Sequence, residues 1–298
     1  MTLPKHETSP QVYEVANEFR ARCLEQSGSL LWDRSNVWTV DNLRFIEKHF
    51  IDMPDTTTDD FWSKTKRQFT GLPQECFMIL SDALVVYSLP SLSINLETKM
   101  SFLDRVREIG GPGPPKLDAR VAQALGQGLA HTGFRYNAKY MQIWLLIRFA
   151  LRLKEEVLQN ILADPWVTAG FLDECLHSFK PIDRAYDMRN ALLHMLFPDV
   201  FERVISTEHK RQITEAFLSP SEIEAAKKEY PSETQSLIAL DRLLLKVRQR
   251  LRLENPSSDP DFYSPEIEKQ WKKGKKEPEG SEDSMGEPFS TLFTDREE

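Results

Sequence analysis

The chain has 298 residues, of which 40% are apolar and 28% charged, a composition that excludes a wholly disordered polymer and gives enough length to bury roughly three quarters of the unfolded surface. Glycine is scarce, 12 residues against a usual ~7%, which disfavours repeated tight turns and favours helices. The 46 acidic and 38 basic side chains leave a formal charge of −8, so the molecule as a whole repels polyanions and any phosphate contact needs a local basic patch.

Helix start and stop signals recur in chain order. Thr39 is placed to cap a segment with Leu43, Ile46 and Phe50 on one face. Thr58 is placed to cap another with Phe61, Thr65 and Phe69, closed by Gly71. Between Gln74 and Tyr87 the residues Cys76, Leu80, Ala83 and Tyr87 repeat helically, although Val85-Val86 leaves a strand open, and Pro90 ends the run. Asn95 caps Leu96–Ile109, and the stretch Gly110-Gly111-Pro112-Gly113-Pro114-Pro115 must be a loop. Leu117–Leu125 reads as a short helix and Gly126–Gly133 as an irregular connection. Tyr140–Gln159 is the most apolar helix, with Trp144, Ile147, Leu151 and Leu158 on its core side. Asp164-Pro165 is a cap and first-turn proline for Trp166–His177, and a further helix runs from Arg184 to Leu196 and stops before Pro198.

The last third has a different character. Ser221-Glu222-Ile223-Glu224 and Ser232-Glu233-Thr234-Gln235 both fit the capping-box pattern. The second helix carries Leu237, Leu240, Leu244, Val247 and Leu251 as its stripe, and from Arg242 to Arg252 it carries Arg242, Lys246, Arg248, Arg250 and Arg252 with no acidic residue. After Asn255 come few core residues, a lysine cluster (Lys272, Lys273, Lys275, Lys276) and an acidic stretch to Glu298. The expectation is therefore an all-α, mainly helical domain over residues 10–254 and a polar, disordered extension over 255–298.

Compartment signals are brief. Cys23, Cys76 and Cys175 are far apart and set among apolar neighbours, so they read as reduced core thiols of a cytoplasmic protein. Met1–Pro10 is polar and lacks the apolar core of a secretory signal. The most apolar run, Met141–Leu153, is too short and too charged to span a bilayer, so no membrane contact is expected.

Three kinds of chemistry can be weighed. A phosphate-binding loop is missing: the one Gly-Lys pair, Gly274-Lys275, is followed by Lys276. His194, Asp199, Glu202 and His209 lie within sixteen residues and would serve a metal-dependent hydrolase if folded together, yet their spacing matches no helical ligand motif. The competing assignment gives His194 a structural place in its helix. No Gly-x-Ser-x-Gly elbow occurs, and Cys175 and His177 fall on different helix faces. Basic groups offer the third possibility: Lys64, Lys66 and Arg67 near Trp62, then Arg203, Lys210 and Arg211, then the stripe from Arg242 to Arg252. A solvated helix face is the commoner explanation of such runs; a DNA or partner contact is the alternative, favoured at the last stripe because it lacks compensating acids. Trp32, Trp38 and Trp62 either pack in the core or stack bases.

The stretch Leu192-Leu193-His194-Met195-Leu196-Phe197-Pro198-Asp199-Val200-Phe201-Glu202-Arg203-Val204-Ile205-Ser206, followed by His209-Lys210 and Ile213, resembles the segment upstream of the AAA+ module in McrB-like restriction ATPases/GTPases of bacterial anti-phage defence systems. Other residues agree in order: Trp38, Leu43, Phe61-Trp62, Gln68, Glu97-Thr98-Lys99, Gly128, Gly133, Tyr136-Asn137, Asp164-Pro165-Trp166, Asp241, Leu244 and Asp261-Phe262-Tyr263. The resemblance spans Val12 to Trp271. It implies a region that senses or positions a target, often modified DNA, for an AAA+ motor and an McrC-like nuclease subunit supplied separately. It implies no cofactor and no bond-breaking by this chain, because the match ends before the motor. Read from the residues alone, a buried helix ends at Phe197-Pro198, Phe201 and Ile205 return to the core, and Ser206 caps the helix bearing His209.

Overall fold

Local chemistry starts most of the helices, and the expected caps can be checked one by one. The computed structural model describes residues 9–113, 117–156, 161–232, 234–256 and 260–272. Helix α1 (Pro10–Glu18) has proline in its first turn and runs on as a π-helical turn over Phe19–Glu25. This first element carries no side-chain cap and was not foreseen; its buried face is Val12, Val15, Ala16, Phe19 and Cys23. Helix α2 (Val40–Ile46) is capped by Thr39, as expected, and also continues as a π-turn, Glu47–Ile51. The cap of α3 (Phe61–Phe69) is Asp60 rather than Thr58. Its carboxylate sits directly before the first turn and accepts the amides of Trp62 and Ser63, where charge-assisted bonds to the helix terminus are favoured.

The strand alternative near Val85-Val86 disappears. Residues 74–88 form α4 (Gln74–Ser88), buried from Cys76 to Ser88, so tertiary packing overrides the β-branched pair. Helix α5 (Leu96–Glu108) has Asn95 as its cap and α6 (Ala119–Gln127) has Asp118. Gly128 then turns with φ +65°, where an added Cβ would meet Leu92 and the Ser91 carbonyl at 2.8 Å. Helix α7 (Lys139–Glu155) is the expected core helix, buried nearly all round from Met141 to Leu153. Asp164 caps α8 (Pro165–His177), α9 spans Tyr186–Leu196, and Ser206 caps α10 (Thr207–Phe217).

The capping box falls two residues before its expected place. Ser219 and Glu222 satisfy each other's amides at the start of α11 (Pro220–Glu229), because Pro220 must occupy the first helical position. The second expected box is not formed as such: Ser232 accepts the amide of Gln235, and α12 (Ser236–Glu254) begins after it without a side-chain cap. Glu233, the lysines after Lys272 and the acidic end lie outside the described residues.

Packing places α4 and α7 side by side at the centre, with α2, α5, α8 and α9 around them. Among the described residues no β-strand forms; Ser91 and Ala130 make an isolated parallel bridge. The architecture is thus all-α. A second, smaller apolar cluster joins α10 and α12 to α13 (Pro265–Trp271) through Ile213, Leu244, Val247, Phe262 and Trp271. Phe262 and Trp271 are 2% exposed, so the packed chain extends past the boundary expected at residue 254. Two large aromatic side chains suffice where the count of apolar residues is low.

Buried polar side chains tie the layers together. Asp82, in the middle of α4, accepts bonds from Ser29 Oγ (2.8 Å), the amides of Leu30 and Leu31 (3.1 Å each) and Trp38 Nε1 (2.8 Å). The loop between α1 and α2 is fastened to the core by that one carboxylate. Trp38 is therefore a core residue, and Trp62 lies half-buried against Phe61 and Phe102. The three cysteines are free and buried. No helix among the described residues is long and apolar enough to cross a membrane.

Candidate functional site around helix α9

The motif residues sit on α9 and on the connection to α10, where Leu192, Leu193 and Met195 bury the helix in the main core. His194 is 4% exposed. Its Nδ1 lies 2.8 Å from the Phe201 carbonyl, which can only accept, so this nitrogen carries the proton. Nε2 meets the Tyr13 hydroxyl at 2.9 Å. The imidazole thereby closes the turn after α9 and holds α1 against it. Burial pushes the Tyr13 hydroxyl up to about 12, so it stays a neutral hydrogen-bonding group.

One turn earlier, α9 carries a fully buried ionic cluster. Arg189 clasps Asp173 of α8 with two bonds, Nε to Oδ1 at 2.6 Å and Nη2 to Oδ2 at 2.9 Å, and also pairs with Asp241 of α12. Lys210 of α10 reaches Asp241 at 2.6 Å and the Asn190 side-chain oxygen at 2.8 Å. The Asn190 amide donates to the Ile205 carbonyl (2.7 Å) and Thr207 Oγ1 (3.0 Å). Four helices meet on this network. Desolvation raises the Asp173 carboxyl to about 6 despite Arg189, whereas Arg189 and Lys210 together outweigh burial at Asp241 and hold it below its ordinary value.

The four residues of the hydrolase alternative are not brought together. Asp199 is exposed at the turn, and Glu202 is buried in a two-pronged ion pair with Arg248. His209 faces the second cluster, with Nδ1 3.0 Å from the Tyr263 hydroxyl and its ring 5.1 Å from that of Trp271. Burial, reinforced by Lys272, lowers its pKa. Among the described residues no three His, Cys, Asp or Glu side chains converge to hold a metal ion. The proximity of these residues in sequence is undone by the turn at Pro198, which sends each to a different neighbour.

The basic side chains are corrected in a similar way. Lys210 and Arg248 are core counter-ions, 2% and 5% exposed, and cannot reach a phosphate. Lys246 and Arg250 both meet Glu222 of α11 at 2.8 Å, and Arg250 also donates to the Phe217 carbonyl. Those cations draw Glu222 down to about 2. Arg242 lies over Trp166 at 4.2 Å and Tyr230 at 5.5 Å, a cation–π sandwich, and Arg252 is half-buried near the end of α12. The balancing acids missing from α12 are thus supplied by other helices. Arg203 pairs with Asp261 at 2.7 Å; Arg67 pairs with Asp55 and Asp59 at 2.7 and 2.8 Å. Arg211 remains exposed, 3.7 Å from Glu208, and neither Lys64 nor Lys66 forms an ion pair among the described residues.

Two recesses open beside these elements. A cleft of about 320 Å³ lies where the first turns of α7, α9 and α10 approach one another, lined by Gln142, Arg184, Asp187, Thr207 and Glu208 among others. Asp187 stands in it with its carboxyl raised to about 6 by burial, against the pull of Arg135 and Lys210. Sequence reasoning missed it, since an acid in the first turn of a helix ordinarily reads as a dipole partner. A second cleft, about 430 Å³, has Phe50, Phe61, Tyr140 and Trp144 on its walls and Lys64 and Lys180 at its edge.

Comparison with protein-family models, with curated proteins and with solved structures returned no match, so the likeness to the McrB-like upstream segment stands on its motif alone.

Proposed function

We propose that the chain is a non-catalytic sensor or adaptor of a McrB-like restriction system. It grips a partner and leaves nucleotide turnover to a separate AAA+ motor and cleavage to an McrC-like nuclease subunit. The observation carrying this is the engagement of the motif's reactive side chains within the fold. His194 and Lys210 each hold one helix to another, Glu202 ties the α9–α10 connection to α12 and His209 ties α10 to the turn before α13, an arrangement suited to a rigid recognition scaffold. On α12, the pairing of Lys246, Arg248 and Arg250 with Glu222 and Glu202 and the seating of Arg242 on Trp166 and Tyr230 favour a protein partner over DNA on that face. A DNA contact is favoured instead at Lys64 and Lys66 of α3, which form no ion pair among the described residues; Lys64 edges the aromatic cleft, whose acids Asp55 and Asp59 are paired with Arg67.

The test combines the purified chain with an McrB-like AAA+ motor and an McrC-like nuclease subunit, and separately with duplex and single-stranded DNA over a salt series. Co-elution with the motor is expected. So is DNA binding that is either undetectable at low salt or removed by Lys64→Glu with Lys66→Glu. Nucleotide turnover or DNA cleavage by the chain alone, abolished by His194→Ala or His209→Ala, would overturn the proposal.

A further inference from the structure

The charge of the chain is concentrated at one end. Residues 277–298 hold eight acidic side chains against one arginine, −7 of the total −8, so everything before them is almost neutral. Within that segment Phe289, Leu292 and Phe293 stand at i, i+3 and i+4 behind Glu287-Pro288, the spacing of one apolar helical face after a proline start. Apart from Met285 they are the only large apolar residues after Trp271.

The packed body offers a matching surface. A groove of about 310 Å³ runs between α10, α11 and α12, with Ile223, Tyr230, Leu240 and Leu243 on its apolar walls. Helix α11, which forms one side, has no buried residue, so it covers α12 incompletely. The rim carries Arg211 and Lys227, which stand 3.7 Å from Glu208 and Glu224 and whose side chains are 60% and 66% exposed, against one acid of the lining, Glu215. Both cations are thus open to an acidic partner.

We propose that the acidic segment of this same chain, residues 287–293 with their flanking carboxylates, docks in this groove, Phe289, Leu292 and Phe293 on the apolar walls and the acids toward Arg211 and Lys227. Geometry permits it. The described residues end at Lys272, just after α13, which lies against α10, one wall of the groove. The 17 residues from there to Phe289 reach up to about 55 Å at ~3.3 Å per residue, more than the distance across a body of this size. Tethering gives the segment an effective concentration on the order of millimolar, so even a weak helix-in-groove contact is occupied.

The test uses the full chain with Lys227→Cys and Thr291→Cys, the three native thiols being buried. Under mild oxidation this pair should close an intrachain disulfide at least tenfold faster than a control pair of Arg105→Cys, on exposed α5, with Thr291→Cys. Leu240→Glu in the groove, or Phe289→Ser with Phe293→Ser in the segment, should return the rate to that of the control, and high salt should slow it. The segment variants leave the packed body untouched, so their result does not depend on its folding. Equal rates for the two pairs would overturn the proposal, as would a product that links two chains, since a second copy would then occupy the groove.

Discussion

Replacing Arg189 by Met keeps most of the apolar stem and removes the charge at the centre of the ionic cluster. Asp173 then loses both of its bonds to the guanidinium, at 2.6 and 2.9 Å, in a site with no solvent exposure. Asp241 keeps Lys210 at 2.6 Å. Removing one partner of a buried pair costs about 3–5 kcal/mol, much of it from the charge left behind. Against a typical total of roughly 5–15 kcal/mol, that is a fifth or more of the stability. Urea denaturation at pH 7 should show it as a lower midpoint with an unchanged slope. The deficit should shrink toward pH 5. An unpaired buried carboxyl has its pKa raised further, so the folded variant takes up a proton that the unfolded chain has released, and its stability rises as pH falls through that pKa. Adding Asp173→Leu should restore at least half of the loss. A deficit below about 1 kcal/mol, or one equal at pH 5 and pH 8, would refute the assignment of Arg189 as the counter-ion on which α8, α9, α10 and α12 converge.

Asp82→Asn should lower stability by about 2–4 kcal/mol, because an amide must point a donor at a cluster of four donors; the thermal midpoint and Trp38 fluorescence report it, and an unshifted midpoint contradicts the role. Asp82 and Asp187 have carboxyls raised from 3.8 to about 6 by burial, so the folded state retains protons that the unfolded chain loses; through these groups stability falls as pH rises from about 4 to about 6, by at most ~1.4 kcal/mol per pH unit each. Asp187→Asn should flatten that decline, and denaturation curves at pH 4.5 and 6.5 that match the parent would exclude it. Glu222→Gln should release Lys246 and Arg250 toward solvent and delay elution from an immobilised polyanion, whereas unchanged retention would mean that α12 is not neutralised by α11.

What the residues announced by themselves was local. Thr39, Asn95, Asp164 and Ser206 cap the helices expected of them, because a side-chain acceptor within three residues of an amide needs no tertiary help. The errors at Thr58 and Ser221 are also local, and each has a cue in the chain: an acid immediately before Phe61, and a proline that fixes the first helical position at 220. The non-local pairings were hidden. Glu202 and Arg248 are 46 residues apart, Lys210 and Asp241 31 apart, and no periodicity relates them. The stripe on α12 looked uncompensated for that reason. Helix α4, as deeply buried as α7, was left open to a strand by Val85-Val86, and nothing near Asp82 in sequence announces its four donors, which come from a loop and a tryptophan more than 40 residues away.

Several polar positions among those that carry the likeness to the McrB-like segment share one property in the folded chain. Trp38 donates to Asp82, Gln68 donates to carbonyls of the 49–53 turn, and Lys99 bonds the carbonyls of Ser91 and Leu125. Tyr136 bonds the Tyr87 carbonyl, Asp241 anchors the ionic cluster, and His194 closes the turn after α9. These are buried or half-buried polar groups whose replacement leaves a donor or acceptor unsatisfied, and such groups constrain a scaffold more tightly than apolar positions do, since Leu, Ile and Met can exchange. A motif of this kind specifies how helices are joined and says little about what is recognised. The recesses open to a ligand lie largely outside it: the cleft around Asp187 where three helix starts meet, the aromatic cleft edged by Lys64 and Lys180, and the groove between α10 and α12.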